Sequence, residues 1–201
     1  MQRAAPLPIQ LRGNCFARGL LRLAGWRVVF PGLPTRQGVL VIYPHTSNWD
    51  FVIGILAKWS AGLPISFWSK DELFAWPLFG AWLRWVGGIA VDRKSPRGRV
   101  ADMVARFAVA RAEDRFLWLG IAPEGTRGYA PAWRTGFYQL AHAAGVPVGL
   151  GYIDYARRVI GVDEFIALGG DRDADMAAIA LHLGPYRGRR PDCASPIRFK
   201  P

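Results

Sequence analysis

A histidine and an aspartate, separated by four residues, lie between a predicted strand and a predicted helix. The strand is the apolar run 38–43, and helical periodicity covers 51–59. On a continuous helix His45 and Asp50 would lie about 140° apart, so their contact requires a turn. A carboxylate on one imidazole nitrogen fixes the tautomer and leaves the other nitrogen as a general base. Alternatively, Asp50 only favours a helix N-terminus and His45 is an ordinary loop residue.

A second polar cluster, Glu124-Gly125-Thr126-Arg127, follows the predicted strand 116–122. Gly125 lets a backbone approach a ligand closely, and Thr126 offers a hydroxyl. The planar guanidinium of Arg127 suits a phosphate or a carboxylate. Taken alone, the cluster is equally compatible with a turn that contains a Glu–Arg ion pair.

The elements that position these clusters alternate along the chain. Strand-like and helix-like segments are predicted as follows: strands 38–43, 63–68, 88–91, 116–122, 146–153, 159–166 and 180–183, and helices 51–59, 72–86, 100–115 and 136–144. This alternation predicts an α/β fold, a single layered domain with a mostly buried mixed sheet flanked by helices. We expect the domain to cover residues 37–201, after a basic amphipathic segment, 1–36. The chemistry should lie in loops at strand ends.

Taken together and in order, the motifs resemble those of the lysophospholipid acyltransferase family, which includes the 1-acyl-glycerol-3-phosphate acyltransferases. The resemblance covers about residues 38–155. It rests on four blocks: His45 with Asp50; Lys70-Asp71-Glu72-Leu73 with Pro77 and Gly80 leading to Val91-Asp92-Arg93; Glu124 to Arg127; and Val146-Pro147-Val148. It implies a glycerol-phosphate acyltransferase-like fold.

The resemblance also implies a reaction. A fatty acyl group would move from acyl-CoA or acyl-carrier protein to the hydroxyl of a lysophospholipid such as 1-acyl-glycerol-3-phosphate. His45 would accept the proton of that hydroxyl, and Asp50 would orient and support the imidazolium. No acyl-enzyme is required, and the sequence contains no GxSxG nucleophile elbow.

The acceptor phosphate has two candidate arginines. Arg127, together with Gly125 and Thr126, would hold this anion, and Arg93 is the second candidate. Glu124 would either bind a glycerol hydroxyl or orient Arg127, and we favour the second role.

We expect no cofactor or metal beyond the acyl donor itself. Cys15 and Cys193 lie at opposite ends of the chain without a CxxC motif, which predicts neither a disulfide framework nor a zinc site. The three histidines are far apart in the sequence and match no metal-ligand spacing.

The charge predicts an anionic partner. The 201-residue chain has 26 Lys and Arg against 15 Asp and Glu, a net charge of +11. Nucleic acid, an anionic membrane, a phosphorylated small molecule and an acidic carrier protein all fit this excess. No nucleic-acid partner is expected, because the sequence has no recognised binding motif for one. We expect the 187–190 segment to contact anionic lipid or an acidic carrier.

The N-terminal segment has the pattern of a membrane-surface helix. Phe16, Leu20 and Leu23 share one helical face, while Arg18 and Arg22 lie opposite. A surface helix packed on the core through the same apolar stripe fits equally well.

We expect no secretory leader and no membrane span, and therefore a cytoplasmic enzyme associated peripherally with the inner face of the membrane.

Several alternatives remain open from the sequence. The acceptor could be another lipid hydroxyl, such as that of an amino-acid lipid, or water could replace it, as in a thioesterase. A nucleic-acid-binding module is a further alternative.

The segment 68–85 is rich in aromatic residues, some of which we expect in the core and some in an acyl groove.

Overall fold

A computed structural model describes residues 7–91 and 96–200. The elements within these ranges are, in chain order, α1 (Cys15–Leu23), β1 (Arg27–Val29), β2 (Gln37–Tyr43), α2 (Trp49–Ala61), β3 (Ile65–Lys70), α3 (Pro77–Trp85), β4 (Gly88–Val91), α4 (Pro96–Ala112), β5 (Leu117–Ile121), α5 (Gly136–Ala144), β6 (Val148–Asp154), β7 (Val159–Ile166) and α6 (Arg172–Leu183). Short 3-10 helices cover Asp71–Phe74 and Pro191–Cys193. The α/β layered fold predicted from the sequence is confirmed.

The strands form one seven-stranded mixed sheet in the order β1-β7-β6-β2-β5-β3-β4. β7 pairs antiparallel with β6, and every other pairing in this sheet is parallel. The five strands β2 to β6 therefore run in the same direction. Their carboxyl ends meet at one edge of the sheet, with β2 between β5 and β6.

Both faces of the sheet are covered, as the continuous apolar run of β2 requires. Val39 and Val41 of β2 pack into the larger core cluster with Phe137 and Leu140 of α5. Ile42, the residue after Val41, packs on the opposite face, in a cluster that also contains residues of α1 and α2. The helix α2 therefore lies on the face opposite α5, and its N-terminus follows directly from the end of β2.

Lys58, in the last turns of α2, ties this helix to two other elements. Its ammonium donates hydrogen bonds to the carbonyls of Ile65 and Val86, both at 2.6 Å. Burial lowers the pKa of Lys58 to about 8, because removal from water disfavours the charged form. The ammonium thus satisfies carbonyls at the start of β3 and just after α3.

Three sequence-based assignments need correction. Residues 180–183, predicted as a strand, form the last turn of α6. The predicted helix 72–86 is divided: a 3-10 helix ends at Phe74, and α3 begins at Pro77 because proline suits a first helical position. β1 was not predicted; it lies inside the segment 1–36 yet pairs with β7. A strand of three residues is too short to show a period in the sequence.

The apolar stripe of α1 faces solvent. Asn14 caps the helix, accepting hydrogen bonds from the amides of Phe16 and Ala17. Ala17 and Leu21 face the protein, whereas Phe16 and Leu23 are 72% and 88% exposed. The stripe noted in the sequence therefore does not pack on the core.

Among residues 7–91 and 96–200, no helix combines the length and the apolar character needed to cross a bilayer.

Candidate active site

The strand order brings three loops together. Those that follow β2, β5 and β6 leave the same edge of the sheet side by side. They carry His45, Glu124 and Tyr155, respectively. Residues distant in sequence therefore become neighbours because their strands are adjacent and parallel.

His45 and Asp50 are in contact, as predicted. His45 Nδ1 lies 3.3 Å from Asp50 Oδ2; the histidine side chain is 19% exposed and the aspartate side chain is fully buried. Asn48 stands at the cap position of α2 but makes no capping hydrogen bond with its side chain; the Ser47 hydroxyl accepts from the Trp49 amide. The turn before α2 thus brings Asp50 back toward the histidine.

The Asp50 carboxylate is the most heavily bonded group of the site. Oδ2 also accepts hydrogen bonds from the amides of Thr46 and Ser47, at 2.7 and 2.8 Å, and Oδ1 accepts from the Tyr155 hydroxyl at 2.7 Å. Burial acts to raise the pKa of Asp50, but the hydrogen bonds from His45, Tyr155 and Ser47 outweigh it and lower the pKa. The carboxylate is therefore held ionised beside the imidazole, an arrangement that fixes the orientation of the ring.

The pKa of the Tyr155 phenol is raised above its ordinary value. Burial is the first cause, and the bond to the Asp50 carboxylate is the second. The hydroxyl thus stays protonated and remains a donor to Asp50.

Glu124 is buried and binds the backbone rather than Arg127. Its carboxylate accepts from the amide of His45 at 2.6 Å and from the amide of Ser195 at 2.9 Å. The expectation that Glu124 orients Arg127 is therefore wrong, and no ion pair joins these two described residues. Burial raises the pKa of Glu124, and the two amide hydrogen bonds partly offset the increase.

Gly125, Thr126 and Arg127, the residues that follow Glu124 in the second polar cluster, are exposed. Gly125 has φ +68°, and a Cβ there would lie 2.4 Å from the Nε of Arg134, so the left-handed turn and the close contact both favour glycine. The exposed hydroxyl of Thr126 accepts from the Gly128 amide. The exposed Arg127 lines the same cavity as His45 and Asp50. Arg93, the second predicted anion ligand, lies outside the described residues.

A largely apolar cavity of about 790 Å³ begins at His45 and Asp50 and continues between α2 and the sheet. Phe51, Gly54 and Lys58 line it along α2, and Asp50 and Lys58 are about 12 Å apart along the helix axis. Other lining residues come from the sheet and from α3: Val28, Phe30, Leu40, Ile42, Phe67, Trp68, Phe79, Trp82, Leu83, Gly120, Gly151 and Val162. The cavity thus joins a polar mouth to a long apolar interior.

The aromatic-rich segment does not divide between core and groove as expected, because none of its aromatic side chains is fully buried and only Trp68 packs, half-buried, against the main core cluster. Trp68, Phe79 and Trp82 line the cavity. Trp76 and Trp85 are 71% and 72% exposed.

The C-terminal segment also reaches the site, which the sequence did not predict. Arg190 donates two hydrogen bonds to the carbonyl of Thr46 and one to that of Arg127. Arg190 is exposed as well as bound within the protein, so the expectation that the 187–190 segment contacts lipid or a carrier stays a prediction. Neither Tyr155, 105 positions from Asp50, nor Arg190 belongs to a local motif that could have identified it.

Comparisons with known proteins agree with the fold and the motifs. A family model described as "Acyltransferase" matches residues 28–149, more than half of the chain. The crystal structure of a 1-acyl-sn-glycerophosphate (LPA) acyltransferase, PlsC, from Thermotoga maritima is similar, with a TM-score of 0.53 and 18% sequence identity over 84% of this chain and 74% of that chain. At this identity the match establishes the fold. Among curated proteins, none matches the sequence.

Proposed function

The chain belongs to the acyltransferase family, and from that premise we propose that it transfers a fatty acyl group from a thioester donor to the hydroxyl of a lysophospholipid. 1-Acyl-glycerol-3-phosphate is the proposed acceptor, and acyl-CoA or acyl-carrier protein is the proposed donor. The single observation that carries the proposal is the contact between His45 and the buried Asp50 at the mouth of a long apolar cavity.

The proposed mechanism uses His45 as the general base. As the acceptor oxygen attacks the thioester carbonyl, its proton moves to the ring nitrogen of His45 that does not contact Asp50. The ester C–O bond forms, the C–S bond breaks, and the imidazolium returns the proton to the leaving thiolate. Asp50 stabilises the positive charge on the ring during this cycle. No acyl-enzyme forms.

Replacing the base tests the mechanism. His45→Ala should lower kcat for acyl transfer by at least about 100-fold, because the acceptor hydroxyl loses its proton acceptor. The measurement is the rate of formation of diacylated product from a labelled acyl thioester and the lyso acceptor.

His142→Ala is the matched control, since this exposed histidine lies on α5 and outside the cavity. It should keep the wild-type rate. Wild-type activity in folded His45→Ala would contradict the mechanism. Thioester hydrolysis that does not depend on added acceptor would favour a thioesterase instead.

The acceptor phosphate is assigned to Arg127. Its exposed side chain at the cavity mouth supports this role, because a guanidinium offers paired donors to phosphate oxygens. An unphosphorylated monoacylglycerol has the same hydroxyl and chain but lacks the anion.

Arg127→Ala should therefore reduce kcat/KM for the phosphorylated acceptor by about 10- to 100-fold, the value of a charge-assisted hydrogen bond. With monoacylglycerol the rate should change little. Steady-state kinetics with both acceptors measures the ratio. An equal loss for both acceptors would remove Arg127 from phosphate recognition.

The cavity is the proposed site of the acyl chain of the donor. Its lining is mostly apolar, and Gly54 exposes part of it: a Cβ built at this helical glycine has no atom within 4 Å. A larger side chain there would project into free space.

Gly54→Leu should therefore fold well, because replacing a helical glycine with a good helix former gains about 0.5–1 kcal/mol. It should nevertheless shift donor preference from long to short acyl chains. Competition between a short and a long acyl thioester measures this preference. Gly136→Leu is the control, because that position has equally open surroundings but does not line the cavity. An equal decrease for both donors in Gly54→Leu would contradict the assignment.

A peripheral membrane position would give the enzyme access to its lipid acceptor. Exposed apolar residues on α1 and α3, including Leu23 and Leu78, support an apolar contact. A second cavity is lined by Phe16 and Leu20 of α1 and by Trp85 of α3, which supports a single surface formed by the two helices. Arginines 22 and 84, in the last turns of α1 and α3, supply positive charge for anionic lipid. We propose the cytoplasmic face, where both donor types occur.

Leu78→Ser should weaken binding to anionic vesicles by about tenfold, from the value of burying one leucine. Leu181→Ser is the matched control, because Leu181 is 83% exposed but lies on α6, outside this surface. Vesicle sedimentation at two salt concentrations measures both variants. Equal binding by wild type and Leu78→Ser would contradict the proposed surface.

A further inference from the structure

We propose that Arg190 is a positioning residue that holds the catalytic loop, residues 44–50, in its active geometry. The inference rests on the proposed acyl transfer, and it assigns to the C-terminal segment a part in that reaction. Arg190 acts through the backbone and contacts neither His45 nor Asp50 directly.

The central observation is a peptide unit held from both sides. Arg190 Nε and Nη2 donate to the carbonyl oxygen of Thr46, at 2.8 and 2.5 Å. The N–H of the same peptide unit belongs to Ser47, and it donates to Asp50 Oδ2 at 2.8 Å. The guanidinium and the catalytic carboxylate thus bind opposite ends of one rigid, planar group.

This arrangement has an electrostatic consequence. A cation on the carbonyl oxygen polarises the peptide and strengthens its N–H as a donor. The planar guanidinium of Arg190 directs two of its donors at this one carbonyl oxygen. Arg190 therefore helps to hold Asp50 ionised and oriented, and Asp50 in turn orients His45.

Further contacts limit movement of the loop around Thr46. The Arg190 amide donates to the Thr46 hydroxyl at 3.2 Å. Gly188 is buried against the same hydroxyl, and a Cβ there would lie 2.6 Å from it. Thr46 is consequently fully buried, although it lies beside the cavity mouth.

Arg190 also connects the catalytic pair to the proposed phosphate ligand. Its Nη2 donates to the backbone carbonyl of Arg127 at 3.2 Å. One guanidinium therefore sets the spacing between the loop that carries the base and the loop that would hold the acceptor. A small displacement between two such loops is costly, because reaction rates depend steeply on the alignment of reacting groups.

The test compares three variants. Arg190→Ala should lower kcat by about 10- to 100-fold while leaving KM for the acyl donor close to the wild-type value. Arg190→Lys should recover only part of this loss, because an ammonium cannot reproduce the planar fork. Arg198→Ala is the matched control, since the Arg198 guanidinium also donates to a backbone carbonyl, that of Pro131, but outside the catalytic loop. It should retain wild-type kcat.

Chemical rescue and thermal unfolding separate positioning from stability. Added guanidinium ion should restore kcat of Arg190→Ala in a saturable manner and should not restore His45→Ala. Wild-type kcat in Arg190→Ala would overturn the inference, as would a loss of activity explained entirely by the unfolded fraction. If wild type and Arg198→Ala also fail to transfer acyl groups, the proposed function itself is wrong.

Discussion

A carboxylate removed from water must find hydrogen-bond donors, and this requirement organises the site around Asp50. The fully buried group is served by two amides of its own turn, by the imidazole of His45 and by the hydroxyl of Tyr155. The Tyr155 hydroxyl reaches Asp50 only because β2 and β6 are adjacent parallel strands that end at the same edge of the sheet. The local turn thus supplies three of the donors, and the sheet order supplies the fourth.

Glu124 obeys the same rule from the opposite side of β2. It accepts from the amides of His45 and Ser195, and so joins the histidine loop to the C-terminal segment. The pKa of Asp50 is lowered and that of Glu124 is raised, because the more numerous donors around Asp50 outweigh its burial. Asp50 contacts the imidazole ring itself, whereas Glu124 supports the backbone beside it.

The apolar residues between α2 and the sheet line a cavity and do not form a filled core. Close packing is the norm in protein interiors, yet a large space remains between α2 and the sheet. Residues with little or no side chain, such as Gly54 and Gly151, help to leave it open. One end lies at His45, and a charged group, Lys58, lies farther along α2.

The sequence by itself determined what local patterns can encode. The alternation of strand-like and helix-like segments indicated the layered α/β fold. The spacing of His45 and Asp50 required the turn that the structure contains. Local patterns could not reveal partners that arrive from distant strands or from the C-terminal segment, such as Tyr155 and Arg190, nor that Glu124 binds backbone amides. Tertiary structure decided these contacts, because strand order and burial determine which polar groups must satisfy one another, and neither leaves a periodic signal in the chain.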